Sequence, residues 1–211
     1  MTDAIAFYYS ITSRYAYLAN TQISALEQDT GVPVDWVPVD AVEVRAMAES
    51  EPFEGPPPSG QYRSPYRERD LADWVDFYGV PYREPPEADG ELWWKGFEPE
   101  RRRLMCLAAL AGQDMGKGAQ ASRALFGLMF ASDVWPIHRP EIVDAIVALG
   151  LDRTDLEARI DDPETTERLT QNAQAAVAAG AFGVPTFVWR GKMFFGNDRL
   201  PLLRHHIAKT R

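Results

Sequence analysis

Strand-forming sequence in this 211-residue chain lies near its two ends, and helical sequence fills the middle. Residues 4–10 and 32–40 are short and apolar, which is typical of buried strands. Two further apolar runs, 186–189 and 193–195, flank a short turn and predict a β-hairpin. The order βαβ, then helices, then ββα predicts an α/β fold, in which a mixed sheet carries a helical block inserted in the middle.

A helix between the first two strands determines how they pair. Apolar residues within 15–26 recur at roughly helical spacing, and Gly31 follows as a stop signal. A strand–helix–strand unit of this kind has parallel strands and a right-handed crossover. Pro33 and Pro38 indicate that the second strand is an edge strand or has irregular ends, because proline cannot donate to the ladder.

A proline- and glycine-rich segment and the extent of helical spacing predict the domain boundaries. A proline- and glycine-rich loop covers residues 51–65 and is followed by a helix, and helical spacing runs from about 97 to 180. We therefore predict a sheet-containing domain formed by residues 1–80 and 181–211. Residues 81–180 are expected to form a helical insertion domain.

The charge balance narrows the class of function. The net charge is −9, which argues against a nucleic-acid partner because such proteins carry a basic face. No apolar stretch approaches the length that spans a bilayer, and the N-terminal residues lack the features of a signal peptide. We expect a cytoplasmic protein without a membrane partner.

Cysteine and histidine content narrows the chemistry. Cys106 is the single cysteine, so an intramolecular disulfide, a CxxC motif and a multi-cysteine zinc site are excluded. Its setting in LMCLAAL predicts a buried packing residue. The three histidines suggest no metal site. Arg101 to Arg103 form a short basic run that is expected on a solvated helix face.

Three segments offer groups that could bind a ligand. Ser13 lies between the first strand and the first helix, where its hydroxyl would either cap the helix or face the ligand crevice at the strand's carboxyl end. The Val184–Pro185 bond would present the Val184 backbone to an extended ligand if it were cis, and would be an ordinary strand entry if trans. Asn197 and Asp198 would either cap the last helix or capture an ammonium group.

Three motifs occur in this chain in a fixed order. They are Ser13-Arg14-Tyr15 after the first strand, then Arg63, Tyr66, Asp70 and Trp74, and finally Phe182 to Phe187 followed by Gly196-Asn197-Asp198-Arg199. Through these motifs the sequence resembles the 2-hydroxychromene-2-carboxylate isomerase family and the related kappa-class glutathione transferases, over nearly its whole length. The resemblance implies a DsbA-like thioredoxin fold for residues 1–80 and 181–211, and a homodimer.

The resemblance also implies roles and a reaction. Glutathione would be the cofactor, with its thiolate adding to a small aromatic or unsaturated acid, which isomerises before elimination. Ser13 would hydrogen-bond the glutathione sulfur. The remaining glutathione contacts would come from Arg63, which could instead contact the acidic substrate, from Val184 and Pro185 at the cysteinyl backbone, and from Asn197 and Asp198 at the γ-glutamyl end.

Some residues depart from the family pattern. Arg14 follows the serine where proline is usual, Ser10 stands in place of a frequent aspartate, and Glu54 replaces a neutral residue. The alternatives to the isomerase are therefore a kappa-like glutathione transferase and a non-catalytic thioredoxin-fold binding protein. A disulfide oxidoreductase is disfavoured because no cysteine lies near position 13.

Overall fold

A computed structural model describes residues 3–48, 64–84 and 99–210. The predicted loop at 51–65 lies outside this part of the chain except for its last two residues, which begin a helix. The elements are β1 (Ile5–Tyr9), α1 (Arg14–Thr30), β2 (Val34–Pro38), α2 (Ala41–Ala48), α3 (Ser64–Tyr78), α4 (Pro99–Asp114), α5 (Gly118–Phe130), α6 (Arg139–Val147), α7 (Arg153–Ile160), α8 (Pro163–Ala178), β3 (Thr186–Trp189), β4 (Lys192–Phe195), a 3₁₀ turn (Asn197–Arg199) and α9 (Leu200–Lys209). None of the helices described is both long and apolar enough to cross a membrane.

The four strands form one mixed sheet in the order β2-β1-β3-β4. β1 pairs with β2 in parallel and with β3 in antiparallel fashion, and β3 and β4 form the predicted hairpin. The hairpin turn has φ of 48° at Arg190 and 78° at Gly191, which matches the twist of the flanking strands. The α/β prediction is confirmed, with α1 as the crossover and the helices α4 to α8 between β2 and β3.

One face of the sheet holds most of the core. Phe7 stacks on Tyr9 and on Phe187, with ring centroids 4.9 Å and 4.8 Å apart, and Trp36 meets Phe7 edge-on. Helix α1 and the helices α4 to α7 of the insertion belong with this face to one continuous apolar cluster. Aromatic rings supply large buried areas, so this face anchors the helical block to the sheet.

The opposite face has a smaller core made of short side chains. Tyr8 lies there with Val39 and Val44, and α8 covers them with Ala173 and Ala176. Alanine allows the helix axis to approach the sheet closely, but it buries little apolar area. The two faces therefore contribute unequally to stability.

The outer edge of β2 is closed by side chains. Gln113 on α4 donates to the carbonyl of Trp36 at 3.4 Å, and Asn172 on α8 donates to the carbonyl of Pro38 at 3.0 Å. Pro38 has no N–H to leave unpaired at this edge. The prediction that prolines mark β2 as an edge strand is confirmed.

Helix α4 runs along β2 in the opposite direction. Its last turns meet the middle of the strand at Trp36, Cys106 meets Val39 just beyond the strand, and Arg102 meets Asp40 one residue further. The first turn of α4 consequently projects over the carboxyl end of β2.

Candidate functional site

The predicted site residues within the described chain gather at one edge of the sheet. Register pairs Tyr8 with Thr186 and Thr186 with Phe195, so the end of β1, the start of β3 and the end of β4 lie side by side. Ser13 follows β1, Val184 and Pro185 precede β3, and Asn197 and Asp198 follow β4. We call this the carboxyl edge, since β1 and β2 both end there.

Ser13 is the N-cap of α1, and its hydroxyl oxygen accepts the N–H of Ala16 at 3.2 Å. Its backbone N–H donates to Ser10 at 3.0 Å. The Ser13 hydroxyl hydrogen has no acceptor among the described residues. Because a serine hydroxyl accepts and donates at once, capping and ligand binding are compatible at this position.

The Val184–Pro185 bond is cis. The carbonyl of Pro185 accepts the N–H of Gly196 at 2.9 Å, which ties the start of β3 to the end of β4. Neither the N–H nor the C=O of Val184 has a hydrogen-bond partner in the described part of the chain. An extended backbone laid beside Val184 could pair with both groups.

Asn197 and Asp198 occupy the turn after β4. The Asn197 side chain is buried, and its Nδ2 has no hydrogen-bond partner among the described residues. The Asp198 carboxylate is 42% exposed and lies 3.5 Å from Arg199. Arg199 is the N-cap of α9 and no side chain caps that helix. The capping alternative is therefore wrong, because neither the Asn197 nor the Asp198 side chain accepts a backbone N–H at the start of α9.

Gly196 lets this turn form. Its φ is +107°, and a Cβ at this position would lie 2.3 Å from Oδ1 of Asp198. Any side chain would therefore displace the Asp198 carboxylate as well as straining the backbone.

Arg63 lies outside the described residues, and so does Glu54. The predicted contact of Arg63 with glutathione or an acidic substrate stays a prediction.

Arg14, which stands where proline is usual in the family, forms an ion pair. Its guanidinium is 12% exposed and donates to Glu84 at 3.0 Å. Next to it, the Tyr15 hydroxyl donates to Asp70 on α3 at 2.6 Å. Burial, reinforced by Asp70, raises the pKa of Tyr15, so the phenol stays protonated at neutral pH. These two contacts fix the first turn of α1, which presents Ser13.

Cys106 lies behind the carboxyl edge and is fully buried, as its apolar setting predicts. Its thiol donates to the carbonyl of Val39 at 3.4 Å. Burial raises the pKa of the Cys106 thiol to about 12, while contacts with Ser10 and Ile11 oppose the shift. A thiol in this state is a packing group and a weak nucleophile.

The basic run on α4 corrects a sequence-based expectation. Arg102 is only 18% exposed and its Nε donates at 2.9 Å to Asp40, whose carboxylate is 3% exposed. Arg103 pairs with Glu43 on α2 at 3.1 Å. These ion pairs hold Arg102 and Arg103 against the protein, so the run does not lie on a solvated face. Local sequence patterns could not predict this, because the acidic partners lie about sixty residues earlier in the chain. An acidic residue directly after a strand was the available signal.

These features define a class of protein. A mixed four-stranded sheet, a cis-proline before β3 and a helix that starts directly after β1 make a thioredoxin-type fold. The model of the DsbA-like thioredoxin domain matches residues 4–208, and the chain belongs to that family.

Individual relatives extend this likeness over almost the whole chain. The 2-hydroxychromene-2-carboxylate isomerase of Pseudomonas putida is 27% identical over 211 residues, covering 97% of this chain and 94% of the relative. A solved 2-hydroxychromene-2-carboxylate isomerase superposes with a TM-score of 0.78 at 24% identity, covering 98% of this chain and 95% of that one. The cytosolic disulfide reductase DsbM of Pseudomonas aeruginosa, solved with GSH, has a TM-score of 0.61 at 17% identity, covering 98% of each chain.

Proposed function

We propose that this protein is a glutathione-dependent isomerase acting on an aromatic or unsaturated carboxylate of the 2-hydroxychromene-2-carboxylate type. The observation that carries the proposal is a row of polar groups at the carboxyl edge that have no partner within the part of the chain that the structure describes. These groups are the Ser13 hydroxyl hydrogen, both polar backbone groups of Val184 and Nδ2 of Asn197. The full-length similarity to the isomerase of Pseudomonas putida supports the reaction type.

The carboxyl edge fits a tripeptide in size and chemistry. The row runs across three strands, and two strand spacings amount to about 10 Å. An extended tripeptide spans about 10 Å as well. Val184 offers a backbone donor and acceptor at the centre of the row, Ser13 offers a hydroxyl on one side, and Asn197 and Asp198 offer groups for an amino-acid head on the other.

The residues of this chain would orient and activate a thiol. When bound, glutathione would supply a thiolate that adds to a conjugated carbonyl compound and later leaves. Ser13 would donate its hydroxyl hydrogen to the sulfur, and the free N–H groups at the start of α1 would favour negative charge there. Cys106 takes no part, because its thiol is sealed from solvent and the chain has no second cysteine.

Calorimetric titration of glutathione tests the role of Ser13. Below the ordinary thiol pKa of about 8–9, binding to the wild type should release a proton, and the release should fade as the pH rises past that range. Ser13→Ala should bind about tenfold more weakly and release no proton, because a hydrogen bond to a charged group is lost. Ser13→Thr keeps a hydroxyl and should retain both properties.

Two controls separate the hydroxyl from the helix cap and from the rest of the ligand. Ser13→Gly preserves most of the capping energy, yet it should bind like Ser13→Ala. S-methylglutathione has no thiol, so its affinity should be the same for the wild type and for Ser13→Ala. Absence of glutathione binding by the wild type would overturn the proposed function. Binding without isomerisation of a hydroxychromene carboxylate would favour a transferase.

A further inference from the structure

Arg102 stands out among the cations that the structure describes near the carboxyl edge. Its Nε is held by Asp40, whose carboxylate also accepts the N–H of Val42 at 2.9 Å. The Asp40 side chain is buried, and the Arg102 side chain is 18% exposed. The guanidinium is thus fixed in orientation before any ligand arrives.

The outer edge of this guanidinium is not used by any contact within residues 3–48, 64–84 and 99–210. NH1 and NH2 of Arg102 have no hydrogen-bond partner among the described residues, and neither is a sealed, orphaned atom. A guanidinium bound through Nε keeps its end-on pair of nitrogens for a second acceptor. Two parallel N–H groups match the two oxygens of a carboxylate.

A chain of contacts connects the turn of α4 that carries Arg102 to the predicted thiol site. Cys106 contacts Ser10, whose carbonyl accepts the N–H of Ser13 at 3.0 Å. Arg102 lies four residues before Cys106 on α4, which is about 6 Å along the helix axis. Because Asp40 follows β2 and Ser13 follows β1, its parallel neighbour, Arg102 and Ser13 belong to the same end of the sheet.

Other cations at this edge are committed elsewhere. Arg14 is bound to Glu84, and Arg199 is half exposed beside Asp198. The chain as a whole carries a net charge of −9, so an anionic substrate needs a local positive group to approach it.

We propose that Arg102 makes the site selective for a carboxylate-bearing second substrate, which it binds end-on through NH1 and NH2 while Asp40 holds Nε. This proposal rests on the proposed function for the meaning of that substrate, since glutathione would occupy the row from Ser13 to Asn197. Arg102 is then a specificity-determining residue, with Asp40 as its positioning residue.

Binding of benzoate and of its neutral analogue benzamide tests the proposal without any turnover. Arg102→Met leaves the buried Asp40 carboxylate unpaired, so the informative variant is Arg102→Met combined with Asp40→Asn, which removes both charges and keeps an acceptor for Val42. Benzoate affinity should fall 10- to 100-fold in the double variant, as the loss of a charge-assisted pair predicts. Benzamide affinity should stay unchanged.

Arg103→Met is the matched control, since Arg103 is next to Arg102 on α4 and pairs with Glu43, three residues after Asp40. It should bind benzoate like the wild type. In turnover, the double variant should raise KM for the carboxylate substrate at least tenfold, with kcat within about threefold and glutathione affinity unaltered. A merely structural ion pair would change glutathione affinity and benzamide affinity together with benzoate affinity.

The outcomes distinguish this proposal from the proposed function. Equal affinity of the wild type for benzoate and benzamide overturns the role of Arg102, and so does unchanged benzoate affinity in the double variant. Arg102-dependent benzoate binding in a protein that fails to bind glutathione would instead overturn the glutathione-dependent function and leave the carboxylate site standing.

Discussion

Two borders of the same sheet carry similar polar groups, but the groups have hydrogen-bond partners at one border and lack them at the other among the described residues. Along the outer edge of β2, Gln113 and Asn172 bind the backbone carbonyls that face away from β1. Along the carboxyl edge, the Ser13 hydroxyl hydrogen, the Val184 backbone and Nδ2 of Asn197 have no partner among the described residues. Paired groups complete the fold, whereas groups left open mark where a ligand can complete them.

The two borders should therefore respond differently to mutation. Changes at the outer edge of β2 should lower the free energy of unfolding and leave ligand affinity intact. Changes at the carboxyl edge should do the reverse, or should alter both where the backbone itself is constrained.

The largest effect is expected for Gly196→Ala. The new Cβ would force the Asp198 carboxylate out of its place, and it would strain the backbone at a residue whose φ is +107°. We expect a loss of about 1–3 kcal/mol in unfolding free energy and at least tenfold in glutathione affinity. Urea unfolding and calorimetry measure the two quantities.

Gly191→Ala separates strain from collision. Gly191 has φ of +78° in the hairpin turn, but nothing lies within 4 Å of an added Cβ. It should destabilise the protein through strain and leave glutathione affinity unchanged. Equal losses of glutathione affinity in both variants would contradict the role of the Asn197–Asp198 turn.

A smaller effect is expected for Asn172→Ala on the outer edge of β2. The carbonyl of Pro38 would lose its side-chain partner, which costs about 1–2 kcal/mol at a partly buried group. Glutathione affinity should not change. Gln171→Ala is the control, because the Gln171 side chain is exposed and binds Glu167 on the surface of the same helix. The unfolding free energy of this variant should stay within about 0.5 kcal/mol of wild type. A fall in glutathione affinity for Asn172→Ala would contradict the prediction that changes at the outer edge of β2 affect stability alone.

The smallest effect concerns the pH dependence of stability. The Cys106 thiol has a pKa of about 12 in the folded protein against 9.0 for an unperturbed thiol, so the folded state holds its proton more tightly. Its contribution is complete below pH 9 and is lost as the pH rises above that value. Between pH 8 and 10 the wild type should lose about 1 kcal/mol more than Cys106→Ala.

Urea unfolding of both proteins at pH 8, 9 and 10 measures this difference. Other groups that titrate, including the buried tyrosines, are common to both proteins and cancel. Parallel pH profiles would mean that the thiol is less sealed than its burial indicates.

The sequence predicted what local patterns encode. Strand and helix periodicity indicated the order of β1, α1, β2 and the hairpin, and motif order indicated the thioredoxin fold. It did not predict α2, a helix of eight residues that lies between Asp40 and the proline-rich loop and has one buried residue, Val44. Such a helix depends on tertiary contacts more than on its own propensity.

Only the part of the candidate site that lies at element boundaries could be predicted from the sequence. Ser13, Pro185 and Asn197 sit at element boundaries that the sequence marks, and register alone then brings them to one edge. The burial of Arg102 depends on Asp40, which lies 62 residues earlier in the chain. The residues of the run Arg101 to Arg103 do not indicate that partner, so their local sequence predicted a solvated helix face.

The strand order has a consequence for how the protein is made. β1 is central, yet one of its two neighbours, β3, begins 148 residues after β2 ends. At 5–20 residues per second, a ribosome needs roughly 7 to 30 s to supply β3. For that time the growing chain presents one side of an apolar strand with no partner of its own. Factors that shield nascent chains should therefore engage the aromatic segment of β1 until the last eighth of the protein emerges.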